Sequence, residues 1–356
     1  MLNKKWPHGG DWKSFEDAAG RPPLDFSANI SPLGVPDKVQ QAIQEAAGQA
    51  DTYPDPFCRE LTRAFSKAHA VPKEQILFGN GAADLIYRIV LALRPKHALL
   101  PVPCFSEYRS ALALAGCSIS TLLLKEENDF HLPEDFPEMI PEETDIIFLC
   151  EPGNPAGVVN PLPLLLRTAE KCRQLGTVLV VDECFLDFLP DADSRSLLPY
   201  LDHFPNLIIL GAFTKLYGMA GVRLGWCLCG DPQIPDRLRQ AGPPWNVSSL
   251  AQAAGLAALE CGDYVDRLLA LTEQERSKLI NALQELGLKV IPGRANYLLF
   301  KGPQDLDRET ARQGILIRSC RNYPGLGETW YRTAVRSPQE NRQLIRTLTD
   351  ILAAAD

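Results

Sequence analysis

Short apolar runs alternate with amphipathic stretches through the first two thirds of the chain. The runs ILFG (76–79), HALLPV (97–102), SISTLLL (118–124), DIIFLC (145–150), TVLVVDE (177–183), LIILGAF (207–213) and RLGWCLC (223–229) predict strands. Several are continuously apolar, as strands covered on both faces are. Between them, segments near 82–94, 105–115 and 161–175 carry a helical period. This alternation predicts an α/β fold with a mainly parallel sheet and helices on both faces. Ligands of such sheets bind at the carboxyl ends of the strands.

The rhythm changes after about residue 240. A helical stretch over 248–287, broken near Cys261-Gly262, precedes shorter strand signals. These are LKVIPG (288–293), YLLFK (297–301), ILIRSC (315–320) and WYRTAV (330–335), and a last helix begins near 338. The division expected is an N-terminal arm over 1–35, a large domain over 36–242 and a smaller α+β domain over 243–356, with PPWNVS (243–248) as the junction. The arm, with its Gly, Pro and polar punctuation, is expected to pack on one of the two domains.

A chain of 356 residues is long enough for two such cores. No apolar run reaches the roughly 20 residues of a membrane span. The opening MLNKKWPHGGDW lacks the apolar middle of a signal peptide, so a cytoplasmic protein is expected. A net charge of −8 argues against a nucleic-acid partner. It leaves small anions open, because a few local arginines bind those within an acidic protein. None of the ten cysteines forms a C-x-x-C pair, and most lie in apolar runs, Cys150, Cys184, Cys227 and Cys229 among them. Buried reduced thiols are expected rather than disulfides or zinc. The five scattered histidines give no metal-ligand spacing.

Chemistry concentrates where predicted strands end. TKLYGMAGVRLG (214–225) follows LIILGAF and holds Thr214, Lys215 and Arg223. VDECF (181–185) ends a strand on Asp182, and LCEPGNPAG (149–157) turns at Asn154. FGNGAAD (78–84) leads from a strand into a helix, whose first amides can bind an anion. Phe105 follows the strand HALLPV. Taken singly, these are a surface lysine, a cap, two turns and a core phenylalanine.

In this order they resemble the aspartate-aminotransferase superfamily, the fold type I enzymes of pyridoxal 5'-phosphate. The resemblance implies that Lys215 forms an imine with the cofactor aldehyde and later moves protons. It implies that Asp182 pairs with the pyridine nitrogen, Asn154 meets the ring hydroxyl and Phe105 stacks on the ring. Thr214, Arg223 and the amides at Gly81, Ala82 and Ala83 would hold the phosphate. Two positions depart from the pattern: Ala212 stands where many members have a hydroxyl ligand to the phosphate, and Phe185 where a Tyr often donates to the ring hydroxyl. Tyr53-Pro54-Asp55 matches the segment whose Tyr reaches the neighbouring subunit's cofactor, which implies a homodimer with shared active sites.

Over nearly its whole length the chain resembles the histidinol-phosphate aminotransferase group. Within that group it is most similar to the threonine-phosphate decarboxylase family of cobalamin biosynthesis. The stretches that carry this are HGG (8–10), DFSANISPLG (25–34), PGRANYLL (292–299), ILIRSCRNYPGL (315–326) and WYRTAVRS (330–337). This resemblance implies a phosphorylated amino-acid substrate touched by His8, Gly9, Asn29, Asn154, Arg318 and Arg332. Arg332 would take its carboxylate; Arg318, His8, Asn29 and the Gly9 amide would take its phosphate. The expected reaction is decarboxylation of L-threonine O-3-phosphate to (R)-1-amino-2-propanol O-2-phosphate. A histidinol-phosphate-type transamination and a decarboxylation of O-phosphoserine to ethanolamine phosphate stay open. The two decarboxylation substrates differ by one methyl, a discrimination of about 1–3 kcal/mol.

Overall fold

The computed structural model describes residues 8–354, so the first seven residues of the expected arm lie outside the described residues. The arm carries a short strand, β1 (Leu24–Asp25). All seven apolar runs then become strands: β2 (Ile76–Gly79), β3 (His97–Val102), β4 (Ser118–Leu123), β5 (Ile146–Cys150), β6 (Val178–Asp182), β7 (Leu207–Ala212) and β8 (Gly225–Cys229). They form one sheet in the order β2-β8-β7-β6-β5-β3-β4. The pairs from β7 through β4 are parallel, and β8 alone runs antiparallel to both its neighbours. The segment between β7 and β8 holds only the helical turn Phe213–Leu216, too short to cross the sheet as a parallel connection requires.

Successive residues of the central strands feed two cores. Ile147, Leu149, Leu179, Val181 and Ile209 face one, beneath the helices Arg59–His69 and Leu162–Leu175. Phe148, Val180, Ile208 and Leu210 face the other, beneath Gly81–Leu93 and Ser106–Leu114. Burial on both faces is the physical reason these runs show no alternation.

The long helical stretch breaks at Cys261-Gly262 into Ser249–Ala258 and Gly262–Glu285. Ser249–Ala258 still packs into the first of the two large cores through Ala251, Ala254 and Ala258. A second sheet follows, made of β9 (Lys289–Val290), β10 (Tyr297–Lys301), β12 (Arg318–Ser319) and β13 (Trp330–Ala334) in the order β12-β13-β10-β9. Between β10 and β12, β11 (Ile315–Leu316) pairs parallel with β1 instead. The run ILIRSC is therefore two strands on two partners, not one. The closing helix Pro338–Ala353 opens on a capping box formed by Ser337 and Glu340.

The arm joins the two sheets. Phe26 is buried in the core of the second sheet with Leu298, Phe300, Leu344 and Leu348. Further on, the Ser31 amide donates to the Lys215 carbonyl at 3.0 Å, beyond the end of β7. All ten cysteines are free thiols, six of them buried. Among the described residues no helix is long and apolar enough to cross a membrane, and no group of His, Cys, Asp and Glu could hold a metal ion.

Candidate active site

The strand ends of the large sheet converge on one cavity of about 460 Å³. β6 delivers Asp182 as its last residue, and β5 leads into the turn of Asn154. β7 runs straight into the helical turn that carries Thr214 and Lys215. Because β8 is reversed, the residues before its start lie at the same edge, and Arg223 arrives beside the end of β2. Arg223 has φ +62°, a conformation costly for a side chain with a Cβ and typical of residues held for function.

Two glycines make this approach possible. A Cβ on Gly81 would stand 2.5 Å from Arg223 Nη2, and one on Gly225 would stand 2.4 Å from the Ala82 amide nitrogen. Gly81 also has φ +81°, so a side chain is excluded twice over. The result is a guanidinium set against the amino end of helix Gly81–Leu93, a cradle for an anionic group.

Asp182 is buried, at 4% exposure, and both its oxygens are engaged. Oδ2 accepts from the Tyr108 hydroxyl at 2.6 Å and Oδ1 from the Cys184 amide at 3.1 Å. Tyr108 is itself fixed by stacking on Phe148, with ring centroids 5.0 Å apart. Lys215 reaches the same cavity. Burial, then the positive charge of Arg332, pushes its ammonium down to about 8, with Arg223 adding to the shift and Cys184 and Asp182 opposing it.

The opposite wall comes from the arm and the second sheet. Arg332, in mid-β13 and 6% exposed, donates from Nη1 to Asn154 Oδ1 at 2.6 Å and from Nη2 to the Ser27 carbonyl at 3.0 Å. Its guanidinium lies over the Tyr297 ring at 5.4 Å. Arg318 donates to the Ser319 carbonyl and to Asn322 Oδ1, and stands over the Tyr323 ring at 5.4 Å. Gly9 is pressed so closely on Ser27 that a Cβ would sit 2.0 Å from the Ser27 carbonyl oxygen. This contact, with Gly10 donating to Ser27 Oγ at 2.8 Å, holds His8 over the cavity. Two buried polar atoms here, Asn29 Oδ1 and Arg332 Nε, have no protein partner. Buried polar groups in that state are satisfied by water or by a ligand.

Of the residues singled out in the sequence, His8, Gly9, Asn29, Ala82, Ala83, Phe105 and Asn154 line this cavity. So do Asp182, Thr214, Lys215, Arg223, Arg318 and Arg332. Gly81 sits just behind Arg223. Tyr53 is elsewhere on this chain, 75% exposed and stacked on Trp245 with centroids 4.6 Å apart. The sequence reading passed over Ser27, Glu107, Cys184 and Tyr323, which also line the cavity, and Tyr108 behind Asp182. A buried tyrosine needs a partner for its hydroxyl, which is the signal that could have drawn Tyr108 to an acid at a strand end.

A lysine amine, a fixed carboxylate, a half-buried aromatic and an anion cradle at one sheet edge are a donor set that fits pyridoxal phosphate. Fold and site together define a fold type I pyridoxal-phosphate enzyme. More particularly, residues 21–348 match the aminotransferase class I and II family, and the chain belongs to it. It is 37% identical to the threonine-phosphate decarboxylase of Salmonella typhimurium (strain LT2), over 97% of this chain and 96% of that protein. It is 33% identical to the histidinol-phosphate aminotransferase of Nitratidesulfovibrio vulgaris (strain Hildenborough), over 93% of this chain and 89% of the relative. In structure it is similar to the histidinol-phosphate aminotransferase of Clostridium acetobutylicum, with TM-score 0.87 and 25% identity over 93% of this chain and 99% of that one.

Proposed function

We propose that this enzyme decarboxylates L-threonine O-3-phosphate to (R)-1-amino-2-propanol O-2-phosphate, a step of cobalamin biosynthesis. The observation that carries this reading is that two guanidinium groups, Arg318 and Arg332, face the cavity that also holds Lys215 and Asp182. A substrate with both a carboxylate and a phosphate matches that pair, since each guanidinium offers a planar fork of donors. The 37% identity to a threonine-phosphate decarboxylase supports the same choice.

Lys215 would carry the cofactor, with Asp182 at its ring nitrogen, Phe105 and Asn154 against its ring, and Thr214, Arg223 and the amides of Gly81, Ala82 and Ala83 at its phosphate. Bound pyridoxal phosphate supplies an electron-poor ring that takes up the electron pair of a bond broken at the substrate α-carbon. Arg332 holds the substrate carboxylate; Arg318, His8, Asn29 and the Gly9 amide hold its phosphate. Gripping both ends fixes rotation about the α-carbon and so selects which bond breaks. Lys215, with an ammonium near 8, then returns a proton to the α-carbon at neutral pH. The exposed Tyr53 serves a neighbouring subunit's site in a homodimer. The ten free thiols support a reducing compartment, and the reading is of a cytoplasmic enzyme.

A second reading, transamination of a histidinol-phosphate-type substrate, is favoured by the aminotransferase relatives at 33% identity. Purified protein with cofactor and O-phosphothreonine, without keto acid, separates the two. Stoichiometric carbon dioxide and no amino transfer are expected. Amino transfer to 2-oxoglutarate from histidinol phosphate, without carbon dioxide from O-phosphothreonine, would reject decarboxylation. O-Phosphoserine in a parallel assay reads the methyl preference.

A further inference from the structure

Besides Asp182, the cavity wall carries one more carboxylate among the described residues, Glu107. It lies in the first turn of helix Ser106–Leu114, where an acid is ordinarily accounted for by the helix dipole. Here both its oxygens have other work. Oε1 meets His8 Nε2 at 2.8 Å, and Oε2 accepts from the Tyr87 hydroxyl at 2.9 Å. Tyr87 belongs to helix Gly81–Leu93, so two helices of the large sheet together hold a residue of the arm. His8 also stands 5.8 Å from the Phe105 ring, which limits its tilt.

Among the described residues, charged groups face His8 from three elements: Glu107 from its helix, Arg318 from β12 and Arg332 from β13. Burial pushes the imidazole below its usual range and both arginines push the same way, whereas Glu107 pulls it up. A bare carboxylate at this spot would also repel an incoming phosphate; paired with a cation, it does not.

Resting on the phosphorylated-substrate reading, we propose that Glu107 is a positioning residue of the phosphate site, fixing His8 over the cavity and favouring its protonation when an anionic phosphate arrives. Once protonated, the imidazole has a donor at both ring nitrogens and adds a positive charge to that of Arg318 at the phosphate end. Tyr87 fixes the carboxylate from behind. The phosphate end of the site is then built from the arm and the large sheet as well as from β12.

The test follows the His8 imidazole by nitrogen-labelled NMR in the holoenzyme, with its signal assigned by loss in His8→Asn. In Glu107→Gln the titration midpoint of His8 falls by about one unit or more, the size of effect expected of an opposite charge in contact. The KM for O-phosphothreonine near neutral pH rises about tenfold, one unit of proton affinity, while kcat moves far less. The KM difference closes in acid, where the imidazole is protonated in both proteins. Glu107→Asp, which keeps the charge, falls between the two. An unmoved His8 midpoint in Glu107→Gln overturns the proposal whatever the substrate. If the midpoint moves but the wild-type enzyme releases no carbon dioxide from O-phosphothreonine, it is the substrate reading that fails. Inorganic phosphate then probes the site: weaker binding in Glu107→Gln upholds the role of Glu107, and equal binding overturns it.

Discussion

Arg318 and Arg332 stand directly opposite one another across the antiparallel ladder of β12 and β13. Directly paired residues project to the same face of a sheet, and like charges in that position destabilise it. The pairing is partly offset by Asn154 and the Ser27 carbonyl around Arg332 and by Asn322 beside Arg318. An anion bound between the two guanidinium groups would relieve that repulsion. In the proposed reading the second sheet is a binding device as well as a support.

The arginine pair should therefore trade stability for binding. Arg318→Ala is expected to leave the melting temperature of the ligand-free protein unchanged or higher. It should raise the KM for O-phosphothreonine about 10-fold or more, the loss of one or two charge-assisted hydrogen bonds. Arg332→Lys keeps the charge but loses the fork, and should cut kcat/KM about 100-fold. Thermal melts with and without inorganic phosphate check the first point: phosphate should stabilise the wild type more than Arg318→Ala. Equal stabilisation of both would show that Arg318 does not meet the anion.

Lys215 should titrate near 8 instead of at the usual 10.5 of a lysine. Between those values the unfolded chain holds a proton that the folded one does not, so stability of the cofactor-free protein rises with pH across that window. Below about 8 the full cost of a buried ammonium is present. Amine reactivity follows the same curve. Labelling of Lys215 by an acylating reagent, measured peptide by peptide against pH, should reach half its maximum near 8. A midpoint near 10.5 would mean that Lys215 is solvated like a surface lysine.

Most strands of the large sheet were legible because they are buried on both faces and so read as apolar runs; β4, at the sheet edge, is largely exposed and was legible from its β-branched and apolar residues alone. The site edge was legible because its residues follow those runs. The reversal of β8 was not, since hydrophobicity carries no strand direction. The split of ILIRSC was not legible either. Ile315–Leu316 and Arg318–Ser319 are drawn to different partners, one of them a strand almost 300 residues earlier in sequence. LKVIPG shrank to Lys289–Val290 for a similar reason: those two residues pair in register with β10, and beyond them the Ile291 amide adds one bond to the Leu299 carbonyl. Glu107 was hidden because an acid in a first helical turn has an ordinary local explanation. Its role depends on His8, 99 positions away, and no local pattern reports that contact.

The hydrogen bond from Tyr108 to Asp182 should matter to stability and to turnover alike. Tyr108 is fully buried, so Tyr108→Phe removes one hydroxyl and leaves the ring stacked on Phe148, with no cavity of consequence. What it leaves behind is the Oδ2 atom of Asp182, deep in the protein without its donor. An unsatisfied buried acceptor costs about 1–3 kcal/mol, which urea denaturation of the cofactor-free protein can resolve. In the holoenzyme the Cys184 amide is then the one protein donor left to orient the carboxylate against the ring nitrogen. A carboxylate that wanders no longer meets the ring nitrogen in a fixed orientation, so kcat should fall about tenfold with KM little changed. A variant as stable as the wild type with full kcat would show that Asp182 is held by its own strand and not by Tyr108. A loss of stability with kcat intact would confine the hydroxyl to folding.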